Sequence, residues 1–346
     1  MSSSRNGSNQ SEETRLFFSL TPEKILDAAE STGLRCSGRC LPLNSLENRV
    51  FQVELELTDD EETHLKSKYD PYRVLKFYRP GRWEKAQILE EHEFVRDLSE
   101  SDIPVSSPQI DSQNQTLYEL EAEGIWFTIF PKAGGRIEYE TSDAKLEMLG
   151  RYLARLHMVG QKKSAQHRVS LNPETFGLNN LNWLLDSKVI PIDLESRYRK
   201  AVEAIVQISE PLFKQIDSQR IHGDCHLGNV LWDGDKPLWV DFDDMVTGPC
   251  VQDVWLLVPN RDDEGLRQRE VFLKAYETMA HFDRNSLKLI EILRAFRYIH
   301  YSAWIGRRWD DPAFKNTFPD YKSWQYWSGQ VLDMEEQLRL VKSECQ

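Results

Sequence analysis

The sequence predicts an α+β fold in two parts, a small antiparallel-sheet domain with one helix and a larger, mainly helical domain. Three observations predict it. Short runs in which apolar and polar residues alternate, the pattern of half-buried strands, fill the chain to about Pro131. One amphipathic segment, 83–98, interrupts them. From Ser142 onward apolar residues recur at spacings of three and four, and a single strand–turn–strand breaks that helical pattern. The parts are expected at 16–133 and 134–346, with Gly134-Gly135 at the boundary and a disordered tail over 1–15.

Thr21-Pro22-Glu23 opens a short helix through Ala29, with Thr as N-cap and Pro at the first helical position. Arg39 to Ser45 and Arg49 to Leu57 read as an antiparallel pair, since Val50, Phe51, Val53, Leu55 and Leu57 are interleaved with Gln52, Glu54 and Glu56. The turn between them, Asn44-Ser45-Leu46-Glu47-Asn48, contains no glycine and reads by itself as an ordinary hairpin turn. Tyr72 to Tyr78 is a third strand. Lys76 lies inside its apolar run, where a lysine usually sits at an edge with its head in water. The sharper reading is an inward ammonium kept for an anion. Pro80-Gly81-Arg82 ends the strand, and the helix of residues 83–98 follows, with Glu90, Glu91 and Glu93 on a face expected to be solvated. Ile103-Pro104-Val105 and the runs Thr116 to Leu120 and Gly124 to Pro131 are expected to complete the sheet.

In the second part Leu146, Leu149, Leu153 and Leu156 mark a helix that ends at His157, a residue expected to be a satisfied core or capping group. A helix is expected over 195–217, and amphipathic segments near 263–280, 286–308 and 322–343. Trp304, Trp309, Trp324 and Trp327 fall in the last two and read as packing residues.

Most of the chemistry lies in 222–244. Asp224 and Asn229 are five apart in a loop-like segment. Val230 to Trp232 and Leu238 to Val240 flank Asp233-Gly234-Asp235-Lys236, a hairpin signal, and Asp241, Asp243 and Asp244 follow. The hairpin would bring Asn229 beside Asp241, an oxygen-ligand pair suited to a hard cation such as Mg²⁺. Asp224 on the adjoining loop would be free to orient a hydroxyl. That is the layout of a phosphoryl-transfer centre, and a cleft between two lobes is where small-molecule sites prefer to lie.

Composition excludes several classes. Net charge is −13, so nucleic acid is not expected as a partner, because phosphate binding needs a basic face. No apolar run approaches the roughly 18 residues of a membrane span, and the polar start, Met1 to Glu13, is not a signal peptide. The five cysteines, Cys36, Cys40, Cys225, Cys250 and Cys345, include no CxxC pair, so a reducing cytoplasm is expected rather than a disulfide framework or zinc site.

His222-Gly223-Asp224, four residues and Asn229 are similar to the protein-kinase catalytic loop H-R-D-x-x-x-x-N, and Asp241-Phe242-Asp243 stands where kinases have Asp-Phe-Gly. Gly in place of Arg and Asp in place of Gly move the match toward the aminoglycoside-phosphotransferase and choline-kinase-like branch. Within it the chain closely resembles the bacterial stress response kinase A family of Ser/Thr protein kinases. The resemblance rests on Leu43 to Val50, Lys76 to Trp83, Gln87 to His92, the catalytic segment, and Gly248-Pro249-x-Val251-Gln252-Asp253, and it covers roughly residues 20 to 330.

The resemblance implies a bilobal protein-kinase-like fold and a Mg²⁺- and ATP-dependent transfer to Ser/Thr of proteins, the chain itself included, in a bacterial stress response. It makes Asp224 the catalytic base and gives Mg²⁺ to Asn229 and Asp241. Lys76 would contact the α/β-phosphates, and Glu91, preferred to Glu90 and Glu93 by its spacing to Ile-Pro-Val, would pair with Lys76. Ser45 would lie in the nucleotide-covering turn, Phe127 to Pro131, with Phe130, would be the adenine hinge, and Asp253 would brace the catalytic loop. Asp243 either assists the metal or is solvated. A cytoplasmic monomer is expected. The competing function is a small-molecule kinase acting on an aminoglycoside, choline or homoserine-like hydroxyl, because fold does not fix substrate. A two-metal phosphoesterase built on His222, Asp224 and His226 needs several further His ligands downstream, where only His281 and His300 remain, both on apparently helical segments. A catalytically dead pseudokinase is disfavoured because Lys76, Asp224, Asn229 and Asp241 are all present.

Overall fold

Strand alternation in the first third of the chain builds one sheet. In the computed structural model, which describes residues 14–344, these strands are β1 (Cys36–Leu43), β2 (Arg49–Leu55), β3 (Tyr72–Phe77), β4 (Tyr118–Leu120) and β5 (Ile125–Pro131). They pair antiparallel in the order β1-β2-β3-β5-β4. Most of the tail expected over 1–15 lies outside the described residues; Thr14 and Arg15 are helical.

The register decides which side chains are sunk on which face. Leu75 stands opposite Phe51 and Ile129, and Lys76 opposite Val50 and Thr128. With a period of two, Val53, Leu75, Phe77, Ile125, Phe127 and Ile129 form one core with Ile25, Ala28 and Ala29 of the helix Pro22–Ser31. Thr21 caps that helix, its Oγ1 accepting the Lys24 N–H. Lys76 and Thr128 therefore point to the other face, where both are buried. The helix after β3 runs Lys85–Glu100, two residues later than expected, because the Glu84 N–H is capped by the Gln87 side chain. It buries Ile88, Phe94, Val95 and Leu98, and Glu91 with them, so the acid expected on a solvated face is inside.

Ile103-Pro104-Val105 does not join the sheet as expected. Pro104 has no N–H to give a ladder, and the segment instead grips Trp239: the Trp239 N–H donates to Pro104 O, and its O accepts the Ser106 N–H.

By its internal contacts the chain divides into two compact units, one comprising the chain through Tyr139 together with Gly228–Asp243, the other Glu140–Leu227 and the chain from Asp244 onward. Short strands complete each. β6 (Arg136–Ile137), β8 (Val230–Asp233) and β9 (Lys236–Trp239) form a three-stranded sheet in the first unit, and β7 (Gln219–Ile221) pairs with β10 (Val246–Gly248) in the second. The β8–β9 hairpin has the expected two-residue turn, with Gly234 at φ +60°.

The second unit is helical, as its period implies. Its expected helices are found at Asp143–Gly160, Ile192–Phe213, Asp263–Glu277, Ile290–Arg307 and Trp324–Glu344, and a π-helical turn, Pro173–Leu178, followed by a short helix, Asn179–Asp186, lies between the first two. Leu146, Leu149, Leu153 and Leu156 are buried, and His157 is a satisfied core group bonded to Asp253 and Tyr276. Trp327 is in the core against Tyr198 and Tyr321, whereas Trp324 is exposed and donates to Asp193. Helix Asp143–Gly160 packs closely on helix Asp263–Glu277 at Gly150, where an added Cβ would lie 2.4 Å from Phe272 O. We therefore expect Gly150→Val to force these helices apart and cost about 1–3 kcal/mol, read as a lower thermal midpoint than the parent. An unchanged midpoint would show that the helix pair tolerates a side chain there.

Candidate active site

In the first unit the chemistry gathers around Lys76. Its side chain is 8% exposed, and the ammonium meets three carboxylates: Glu91 Oε1 at 3.6 Å, Asp241 Oδ1 at 3.3 Å and Asp243 Oδ1 at 3.1 Å. Burial works against the charged amine, but Asp243, Glu91, Tyr78 and Asp241 outweigh it and hold the Lys76 pKa well above the ordinary lysine value. The Tyr78 ring lies 4.8 Å from the same nitrogen. Glu91 reaches Lys76 because it is on the buried face of helix Lys85–Glu100, and Lys76 because it is on the sheet face opposite the aliphatic core.

Asp243 is not solvated. It is 4% exposed and consumed by cations: Lys76 on Oδ1, and on Oδ2 the Arg82 guanidinium and Asn48 Nδ2, the latter at 3.1 Å. This corrects the solvated alternative, and the reason is burial, which a carboxylate survives only when paired. Arg82 and Asn48 went unrecognised. Their sequence signal was the short Asn48-Arg49 and Pro80-x-Arg82 segments, which reveal nothing about a partner more than 150 residues away.

Asn48 also explains how a turn with no glycine holds its shape. Its Oδ1 accepts the Arg79 N–H at 3.1 Å, while Arg79 donates to Glu47 O at 2.9 Å and Leu46 O at 3.2 Å. The turn is pinned from beneath by side chains, with Ser45 exposed at its outer side.

At the open end of the β8–β9 hairpin, the Val240 N–H donates to Asn229 O at 3.0 Å, which brings Asn229 beside the chain entering Asp241. Asp241 has φ +61°, a left-handed conformation that costs a non-glycine residue about 1 kcal/mol, and its side chain is 57% exposed. Phe242 behind it is buried against Phe94. One carboxylate and one carboxamide are hard oxygen donors, the set Mg²⁺ takes when phosphates supply the remaining ligands. Of the expected hinge, Phe130 pairs with Val74 in the sheet, and Ile129 O already accepts the Gln109 N–H.

The second unit holds Asp224. Its Oδ1 accepts from Arg297 Nη1 at 2.6 Å and its Oδ2 lies 3.4 Å from His226 Nε2. Burial would raise this carboxyl, but His226 and Arg297 hold it well below the usual carboxylate range. The loop is fixed by Asp253, which accepts the His222 N–H on Oδ2 and the Gly223 N–H on Oδ1, each at 2.9 Å. His157 Nε2 contacts the same carboxylate at 3.1 Å. Gly223 occupies φ +84° with its missing Cβ 2.1 Å from Asp244 O, so no residue with a side chain fits where the protein-kinase loop pattern has Arg. Arg297 was also missed, because nothing in a helical stretch of sequence says which turn faces the loop.

Among the described residues no group of three or more His, Cys, Asp or Glu forms a metal cage, Cys36, Cys40, Cys225 and Cys250 are free thiols, and no helix is long and apolar enough to cross a membrane.

Residues 41–290 match the model of a phosphotransferase enzyme family. Stress response kinase A of Escherichia coli (strain K12) is 38% identical over 94% of this chain and 95% of its own length. Serine/threonine protein kinase RdoA of Salmonella typhimurium (strain LT2) is 37% identical over 94% of each chain. Among solved structures, an amicoumacin kinase in complex with AMP-PNP, Ca²⁺ and Ami has a TM-score of 0.66 at 18% identity, covering 87% of this chain and 92% of that one. A microcompartment-associated aminopropanol kinase has a TM-score of 0.67 at 17% identity, covering 92% and 98%. At those identities the two structures show a shared kinase-like fold.

Removing one partner from a buried ion cluster leaves a charge uncompensated. We expect Arg82→Ala, which strips Asp243 of one cation, to destabilise the protein by about 3–5 kcal/mol in denaturant titration. A loss under about 1 kcal/mol, the range of a surface pair, would remove the cluster from this role. Asp224 gives a pH test. Its folded pKa is depressed, so its contacts contribute stability above the unfolded carboxylate value of about 3.9 and lose it as pH falls through the folded value. The gap in thermal midpoint between parent and Asp224→Asn should therefore narrow as pH falls from neutrality below about 4. A gap that stays constant or widens in that window would contradict an ionised, cation-held Asp224.

Proposed function

This chain belongs to the phosphotransferase enzyme family, among the stress response kinase A proteins, and we propose that it transfers the γ-phosphate of ATP to Ser or Thr hydroxyls of proteins, its own included. The observation that carries the kinase chemistry is Lys76, buried and ion-paired to Glu91, beside an Asp241 whose carboxylate remains exposed. The protein acceptor is favoured by relationship. A full-length relative at 37% identity bears the name of a Ser/Thr protein kinase, whereas small-molecule kinases at 17–18% share the fold.

In this reading Lys76 supplies a fixed positive charge to the α/β-phosphates, and Glu91 and Asp243 keep that ammonium charged and aimed. Asn229 and Asp241 would hold Mg²⁺, which when bound neutralises phosphate charge. The pinned turn carrying Ser45 covers the phosphates with little backbone freedom, and the Phe127–Pro131 segment, with Phe130, meets the adenine. Asp224 orients the acceptor hydroxyl. The hydroxyl oxygen bonds to the γ-phosphorus, the bond from that phosphorus to the β–γ bridging oxygen breaks, ADP leaves, and the hydroxyl proton passes to Asp224. Four unpaired thiols suit a reducing cytoplasm, and the relatives' name supplies the stress response.

The test is transfer of label from γ-labelled ATP with Mg²⁺, offering a generic protein alongside amino alcohols and sugars and identifying the labelled species. Label on the protein itself or on the generic protein is expected. Label confined to small alcohols would replace the protein acceptor by a small-molecule one. In the same assay Asp224→Ala should abolish turnover and leave Mg-ATP binding largely intact, and Lys76→Ala should weaken ATP binding or turnover.

A further inference from the structure

Resting on that kinase reading, we propose that Arg297 is a specificity-determining residue that binds an anionic group, a carboxylate or a phosphate, carried by the acceptor next to the hydroxyl it presents to Asp224. Three observations lead there, all within the second unit.

The first is position. Arg297 projects from helix Ile290–Arg307 and puts Nη1 2.6 Å from Asp224 Oδ1, so whatever hydroxyl Asp224 serves lies within a few ångströms of a guanidinium. The second is unused capacity. A guanidinium has five N–H donors in a planar fork, and among the described residues Asp224 is the hydrogen-bond partner of only one of them on Arg297. The side chain is 38% exposed, so it is not closed off from an incoming group. Its neighbour one turn earlier differs in this respect: Arg294 stacks on Trp255, donates to Pro259 O and pairs with Glu291. The third is the sign of the surroundings. His226 lies on the other oxygen of Asp224, and the next turn of the same face presents Tyr301, exposed and stacked on Trp304, rather than an acid.

An acceptor bearing an ammonium beside its hydroxyl would meet a cation at this point. An acceptor bearing an anion would gain a forked, charge-assisted contact of the kind arginine forms with carboxylate and phosphate, and would be held in register with the base. The substrate class this selects is a Ser or Thr flanked by an acidic or phosphorylated residue.

The experiment uses matched acceptors: a serine peptide with glutamate, phosphoserine or glutamine beside the serine, and a small amino alcohol with its carboxylate free or amidated. The quantity read is the ratio of kcat/KM for the anionic member to that for the neutral member. In the parent this ratio should exceed about 10, the effect of one charge-assisted contact, and Arg297→Gln should bring it close to unity, chiefly through KM. Arg297→Lys, which keeps the charge and loses the fork, should fall between. Anisotropy of a fluorescent Glu-Ser-Glu peptide with parent and Arg297→Gln gives the same comparison without turnover, and thermal melts confirm that both are folded. A parent ratio near unity, or a ratio that Arg297→Gln leaves unchanged, overturns the proposal, including the case where Arg297 merely positions Asp224 and all acceptors fall together. Label found only on the amino alcohols would refute the protein acceptor while leaving Arg297 judged by the small-molecule pair.

Discussion

The first unit depends on one buried carboxylate, Asp243. It is bound at once by Lys76 from β3, Arg82 from the loop after β3 and Asn48 from the β1–β2 turn. A single buried charge would cost several kcal/mol, and so would each of its cations alone; together they compensate one another, and each is intolerable without the rest. That mutual requirement ties the end of a hairpin drawn from 228–243 to a sheet formed by the first part of the chain. It also sets the position of Asp241 two residues earlier, whose left-handed backbone leaves its own carboxylate mostly in water. Buried Asp243 anchors, and exposed Asp241 remains available. Two aspartates that look alike in sequence have been given opposite roles by burial.

The same division occurs in the second unit. Asp253 is fully buried and holds the backbone of His222 and Gly223, while Asp224, the next residue along, presents a partly exposed carboxylate. Here the backbone amides are the anchor, and glycine is the residue that lets the chain turn tightly enough to offer them. With φ at +84° and the Asp244 carbonyl pressed against its α-carbon, position 223 has no room for the arginine usual in protein kinases. An activation-loop phosphate would find no partner at that position.

Much of this was legible in the sequence. Alternation in β2 and β3 and the Asp-Gly turn at 233–234 required strands and a hairpin, and hairpin geometry alone placed Asn229 by the chain entering Asp241. The roles of Lys76 and Glu91 came from resemblance, since period alone left the lysine at an edge and the glutamate on a wet face. What stayed hidden was the identity of ion partners. Arg82 looked like part of a strand-ending turn, Asp243 like one more acid in a run, and Arg297 like one of several arginines on an amphipathic helix. Pairing across 73 to 195 residues is decided by tertiary packing, which leaves no local periodicity to read. The placement of 103–105 failed for a related reason: its apolar pattern suits a strand, yet Pro104 removes a donor, and the segment serves Trp239 instead.

Holding Asp224 between Arg297 and His226 has a consequence for the chemistry. As the base of the proposed reaction, a carboxylate so held would be a feeble proton acceptor, since the His226 contact and the Arg297 guanidinium that favour its ionised form also disfavour protonation. If phosphoryl transfer required the hydroxyl to be deprotonated early, this would be a poor arrangement. In a loose transition state the oxygen attacks while still largely protonated, and the proton becomes acidic only as the bond to phosphorus forms. In the proposed reaction a weak, fixed acceptor would then suffice, and the greater contribution would be geometric: one carboxylate oxygen, held in place, directing the lone pair of the hydroxyl. Arg297 serves that fixation whatever acceptor arrives, because a carboxylate bound on one oxygen cannot rotate freely about its last bond. On this view the low basicity of Asp224 accompanies its rigidity, and both arise from the same two contacts, His226 and Arg297.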